Sequence, residues 1–188
     1  NTRFSPSFPV TDLNHISIDP NADNRVYISS FGDTRDINSV STGGLLVIEN
    51  DEIKTFYNHK NSPLEDIVAD IPNRVTIRVS GTVFDDQGNL WITNIGLDKE
   101  LKKLSPSGQW SSFDMRPVET SAAFGLSQIA IDNNNSLWYG SRGNGVYVYN
   151  ENGDRKRALI ASPNLGNLPD LNVGTIAVDG NNRVWIGT

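Results

Sequence analysis

The fold class predicted by this sequence is an all-β β-propeller, seen here as part of a larger one, and three observations predict it. A motif of apolar residues, an Asp, a Gly/Asn-rich turn and a Trp-bearing strand recurs at a fixed interval. Each interval divides into four short strand-like pieces. Sixteen glycines and nine prolines among 188 residues, with abundant Asn and Asp, break the chain too often for long helices.

The clearest copies are Val83-Phe84-Asp85-Asp86-Gln87-Gly88-Asn89-Leu90-Trp91, Ile129-Ala130-Ile131-Asp132-Asn133-Asn134-Asn135-Ser136-Leu137-Trp138 and Ile176-Ala177-Val178-Asp179-Gly180-Asn181-Asn182-Arg183-Val184-Trp185. Asp85, Asp132 and Asp179 are spaced by 47 residues, and each precedes its Trp by six. A divergent first copy carries Asp19, two extra turn residues and Tyr27 in the Trp position. Its Asp lies 66 residues before Asp85, an excess explained by insertions at residues 32–43 and 59–74. Both are expected to be surface excursions.

Within a period, an apolar inner strand ends at the Asp and a Trp strand follows the turn. Third strands are expected at residues 44–48, 101–104 and 145–149, and more polar fourth strands at 53–57, 110–113 and 155–160. Four strands in roughly 40–50 residues is the propeller pattern. The chain therefore reads as a single propeller fragment over 1–188, with blades at about 11–60, 75–117 and 124–165 and an incomplete one at 172–188. Because closed propellers need about four to eight blades, the native protein is expected to be longer. A first residue of Asn with no signal-peptide pattern predicts a mature or trimmed start.

Two residues before each Asp stand Ser17, Val83, Ala130 and Ala177, all small or slender, as a strand crowded near an axis requires. Their neighbours Ile18, Phe84, Ile131 and Val178 are expected to pack between blades, where the Trp rings add buried area.

Chemistry is constrained mainly by what is missing. The net charge of −6 and pI near 4.8 disfavour nucleic acid and anionic membrane surfaces as partners. With no cysteines, thiolate metal sites, disulfides and cysteine nucleophiles are excluded. No apolar run is long enough for a transmembrane helix. The Asp85-Asp86-Gln87-Gly88-Asn89 stretch is too short for a calcium loop and lacks its closing Glu, so a hairpin turn is predicted and no metal or cofactor. His15 and His59 stand in unrelated contexts, and no nucleophile elbow, phosphate loop or zinc spacing is present. No catalytic residue is assigned, and the expectation is a binding protein rather than an enzyme.

A repeat scaffold varies where it binds. The irregular charged positions are Arg35 and Asp36, Arg78, Asp98, Lys99 and Glu100, and Arg142 with Asn144. The binding candidates are Arg142, Asn144, Arg78, Arg35 and Lys99. Arg142 leads, because its place between Gly140 and Gly143 can present a guanidinium fork to a carboxylate, phosphate or sugar hydroxyl. The repeated Asp19, Asp85, Asp132 and Asp179, with Tyr27, Trp91, Trp138 and Trp185, are read as architecture.

Residues 179–188 and 132–149, the latter through Ser141-Arg142-Gly143-Asn144-Gly145-Val146-Tyr147, resemble the two-component-regulator propeller repeat. Such repeats occur in periplasmic sensor halves of hybrid histidine kinases, which sense oligosaccharides. Leu13-Asn14-His15-Ile16-Ser17-Ile18-Asp19-Pro20, Val26-Tyr27-Ile28-Ser29-Ser30-Phe31, Val79-Ser80-Gly81-Thr82-Val83-Phe84-Asp85 and Leu101-Lys102-Lys103-Leu104 further resemble the PorZ-type propeller family of the type IX secretion system. That resemblance implies a non-catalytic cell-surface scaffold, associated with the outer membrane, whose partners are other subunits of an attachment complex. It also implies a part in cargo attachment to anionic lipopolysaccharide. The alternative it leaves is a ligand-sensing periplasmic propeller, and a propeller lyase or glycosidase is the third reading.

Overall fold

The computed structural model describes residues 10, 12–32, 42–95, 99–116, 118 and 125–188, and these form strands and turns. The first blade is β1 (Asp12–Ile18), β2 (Arg25–Phe31), β3 (Gly44–Glu49) and β4 (Glu52–Tyr57). The second is β5 (Arg78–Phe84), β6 (Leu90–Ile95), β7 (Leu101–Leu104) and β8 (Trp110–Phe113). The third is β9 (Leu126–Ile131), β10 (Ser136–Ser141), β11 (Gly145–Asn150) and β12 (Arg155–Leu159), followed by the pair β13 (Thr175–Val178) and β14 (Val184–Gly187). Every blade is an antiparallel meander, and blades one and two also touch through a single bridge, Phe31 opposite Arg78. The all-β propeller architecture expected from the repeat is thus the architecture observed.

Three of the four repeated aspartates close their hairpins by the same bonds. Asp85 Oδ1 accepts the backbone N–H of Gln87 at 3.0 Å and of Asn89 at 2.8 Å, while Oδ2 accepts the Trp91 indole N–H at 2.8 Å. Asp132 repeats this with Asn134, Ser136 and Trp138, and Asp179 with Asn181, Arg183 and Trp185. The third turn residue sits at positive φ: Gly88 at 78°, Asn135 at 58° and Asn182 at 61°. Gly and Asn tolerate that conformation best, which is why the turn is written in those residues. In the first blade Tyr27 has no indole to offer, and Arg25 donates to Asp19 Oδ2 instead, at 3.4 Å.

Strand alternation distributes the apolar residues. The residue just before the Asp faces the preceding blade: Phe84 stacks edge-on against Tyr27 at 5.6 Å between ring centroids, and Ile131 packs with Trp91. The residue two before the Asp faces the following blade, as Ser17 meets Thr82, Val83 joins the Trp91 cluster and Ala130 joins the cluster around Ile176. Two expectations need correction. Ile18 is 74 % exposed in the sequence's first inner strand, because no described blade lies on that side. Trp185 is 58 % exposed on the opposite flank for the same reason.

Inner strands approach closely. A Cβ placed on Gly81 would lie 2.8 Å from Gln128 Cα and from Ile129 N in β9, backbone that cannot swing aside. Gly81→Ala is therefore expected to cost about 1–3 kcal/mol through overpacking. An unchanged urea midpoint would show that the two strands can separate without penalty.

The insertion at residues 59–74 is more than an excursion. Leu64 is buried in the core between the first two blades, Ile67 packs against the Trp91 cluster, and Asp66 bridges to Ile77. Of the other insertion, residues 33–41 lie outside the described residues; its ends, Gly32 and Thr42, both hydrogen-bond the Ile77 backbone at 2.7 Å.

Candidate binding rim

Antiparallel strands place alternate connections at opposite ends of a blade. The Asp turns share one end with the hairpins β3–β4, β7–β8 and β11–β12. The other end carries the connections between second and third strands and those between blades. Arg78, Lys99, Arg142 and Asn144 all stand on this second end, which forms a rim. Arg35, Asp36 and Asp98 lie outside the described residues.

Arg142 has a fixed backbone and a free head. Its N–H donates to Gly125 O at 2.9 Å, it bridges to Asn172, and the next two available amides, of Gly143 and Gly145, both donate to Leu171 O. Its methylene stem lies against Gly125, whose added Cβ would meet Arg142 Cδ at 3.1 Å. The exposed guanidinium has no hydrogen bond or ion pair among the described residues. By contrast Arg25, Arg116 and Arg183 are each committed to a carboxylate. Asn144 is half-buried in the same turn.

Arg78 opens β5 and is half-buried, its guanidinium 5.8 Å from the Phe31 ring centroid. Its Nε is buried without a hydrogen-bond partner among the described residues. Lys99 is exposed, and among the described residues it is held through its backbone N–H, which donates to Glu65 Oε1 at 3.2 Å. Glu100, grouped with it in the sequence, is buried instead.

Beneath the rim lies a polar cluster that sequence reasoning missed. Lys102 is 1 % exposed along its side chain and pairs with Glu65 Oε1. Asn94 accepts the Glu65 N–H at 2.6 Å and donates to Arg78 O at 3.1 Å. The pair staples residues 59–74 to the second blade, since Glu65 belongs to that insertion and Lys102 to β7. Nothing in Leu101-Lys102-Lys103-Leu104 distinguishes the inward lysine from its neighbour, which instead reaches Glu151 and the Trp91 ring.

A second polar set lies on the concave wall of inner strands. His15 lies within β1, its Nδ1 3.2 Å from Thr82 Oγ1; Ser17 Oγ lies 2.7 Å from the same hydroxyl and donates to Thr82 O at 2.9 Å. Burial lowers the His15 pKa below its ordinary value. With Phe84 and Ile131 these residues line a groove of about 610 Å³. His59 is exposed in a separate loop, and among the described residues no group of His, Asp or Glu is placed to hold a metal ion.

The repeated aspartates at the other end are tied into turns. The Arg183 backbone N–H, then the Trp185 indole, hold the Asp179 pKa down to about 2. A depressed carboxylate pKa favours the folded state above the unfolded value and loses that contribution as pH falls through the folded one. An NMR titration is therefore expected to find Asp179 still ionised at pH 3.

Residues 167–188 match the two-component regulator propeller family. No curated protein matches the chain. Among solved structures it is similar to PorZ, an essential surface component of the type IX secretion system of Porphyromonas gingivalis, with 19 % identity and a TM-score of 0.69 over 93 % of this chain and 23 % of that one. It is similar to the extracellular domain of a putative hybrid two-component system from B. thetaiotaomicron, with 19 % identity and a TM-score of 0.64 over 94 % of this chain and 20 % of that one. A virginiamycin B lyase from Staphylococcus aureus gives 16 % identity and a TM-score of 0.64 over 96 % of this chain and 50 % of that one. The chain thus spans about a fifth to a half of the chains it resembles, and what it shares with them is a β-propeller fold.

Proposed function

We propose that this chain is a segment of a non-catalytic binding propeller that works at a bacterial cell surface, associated with the outer membrane, as a scaffold in a type IX attachment complex. Its partners are other subunits of that complex and an anionic glycan of the lipopolysaccharide kind. The observation that carries the reading is Arg142: a guanidinium held at the rim by backbone bonds to Gly125 and Leu171, with no acid of its own among the described residues. In a chain of net charge −6, a rim cation with no acid beside it is available to an anionic partner that arrives from outside. Arg78 adds a second cation on the same end.

The test is titration of the intact protein with purified anionic lipopolysaccharide. Arg142→Ala is expected to weaken binding about tenfold without shifting the unfolding midpoint, and Arg142→Lys to recover only part, because an ammonium lacks the fork. Unchanged affinity in Arg142→Ala removes that residue from the site.

The runner-up is a periplasmic sensor propeller, favoured by the family match at residues 167–188 and the similarity to a two-component extracellular domain. An oligosaccharide that binds while lipopolysaccharide does not would favour it. An enzymatic reading would have to begin from His15, Ser17 and Thr82 on the concave wall, where no carboxylate among the described residues joins the hydrogen-bonded set.

A further inference from the structure

The chain contains two Asn-Gly pairs, Asn144-Gly145 and Asn152-Gly153, and the fold treats them differently. In such a pair the unhindered glycine nitrogen can reach the asparagine side-chain carbonyl carbon, one reason Asn counts as a labile residue. Gly145 is buried, and its N–H donates to Leu171 O at 2.9 Å, so that nitrogen is committed to the blade. Gly153 is exposed in the β11–β12 turn at φ 82°, and among the described residues its N–H has no acceptor. The Asn152 carboxamide is likewise unbonded among the described residues, although its backbone is held: its N–H donates to Asn150 Oδ1 at 3.0 Å and its carbonyl accepts Arg155 Nε at 3.0 Å.

We propose that Asn152 is a site of spontaneous deamidation and that Asn144 is protected. The Gly153 nitrogen bonds to Asn152 Cγ, the bond from Cγ to the side-chain nitrogen breaks, and that nitrogen leaves as ammonia with the proton from Gly153, closing a succinimide. Water then adds to either ring carbonyl and opens it to aspartate or isoaspartate. Asparagine and water thus become a carboxylate residue and ammonia, with no change of oxidation state. The product matters for its position. Asn152 lines the cleft between the second and third blades together with Asp85, Asp86 and Glu151, so a further negative charge appears beside the Glu151–Lys103 pair that ties these blades. The isoaspartate form also inserts an extra carbon into a turn closed by Asp154 N–H to Glu151 O at 3.1 Å.

The experiment is to age the folded protein at mildly alkaline pH and follow both sites by peptide mapping, with isoaspartyl methyltransferase labelling as a second readout. Deamidation at Asn152 is expected to run at least about tenfold faster than at Asn144, since Gly145 must first open locally. In urea the two rates should converge, and Gly153→Val should slow Asn152 alone. Equal rates in the folded protein, or an Asn152 that stays intact while the unfolded chain reacts, would overturn the proposal.

Discussion

Trp91→Ala is expected to destabilise the protein by about 3–5 kcal/mol, the range for deleting a large buried aromatic. The ring is 3 % exposed and packs among Phe113, Tyr149, Ile131 and Leu137, so its removal leaves a void shared by two blades. It also deprives Asp85 of the indole donor while the carboxylate keeps its backbone bonds. Trp185→Ala, at an equivalent place in the repeat, is expected to cost under about 1 kcal/mol, because more than half of that ring is already in water. Urea denaturation of the two variants checks the contrast. Similar losses would mean that the Asp bond, common to both, outweighs interblade packing.

Glu65→Gln is expected to cost about 3–5 kcal/mol, comparable to breaking other buried ion pairs from one side. The asymmetry lies in burial: Lys102 is enclosed, whereas Glu65 is a quarter exposed, so removing the acid takes a carboxylate from a buried ammonium, and removing the lysine leaves an acid with access to water. Lys102→Met alone should therefore be the milder change, and adding it to Glu65→Gln should restore most of the loss. Sign also follows for pH. Loss of a carboxylate neighbour makes the charged form of a buried lysine less favourable, so relative to the unsubstituted protein Glu65→Gln should gain stability as pH rises toward the alkaline range. A Glu65→Gln variant indifferent to both pH and the second substitution would show that Glu65 serves the loop through its backbone alone.

The scaffold was legible in the sequence because its determinants are local. The six-residue interval from Asp to Trp is what lets one carboxylate grip its own turn and the indole two strand positions onward, and the 47-residue period counts off one blade. The flanks of the arc were less legible: Ile18 and Trp185 carry the same pattern as their buried equivalents, and only the presence of a neighbouring blade decides which is covered. At the rim, Arg142 and Arg78 could be picked out as departures from the repeat. The ion pair beneath them could not, since Glu65 and Lys102 are 37 residues apart and each looks like an ordinary surface charge until the insertion docks. The His15, Ser17 and Thr82 contacts were hidden likewise, because they join strands of two different blades.

One substitution within the repeat sets the first blade apart from the next two in its response to salt. Where the Asp85 and Asp132 turns close through neutral donors, Asp19 relies on the Arg25 guanidinium, which it shares with Glu49, itself also paired to Lys54. Attraction between partly exposed charges weakens as added electrolyte shortens the Debye length, about 10 Å at 0.1 M and about 3 Å at 1 M. Concentrated sodium chloride should therefore loosen this hairpin ahead of those at Asp85 and Asp132, with amide exchange near Arg25 accelerating before theirs, while the Asp179 turn, whose carboxylate also pairs with Arg183, shares the response.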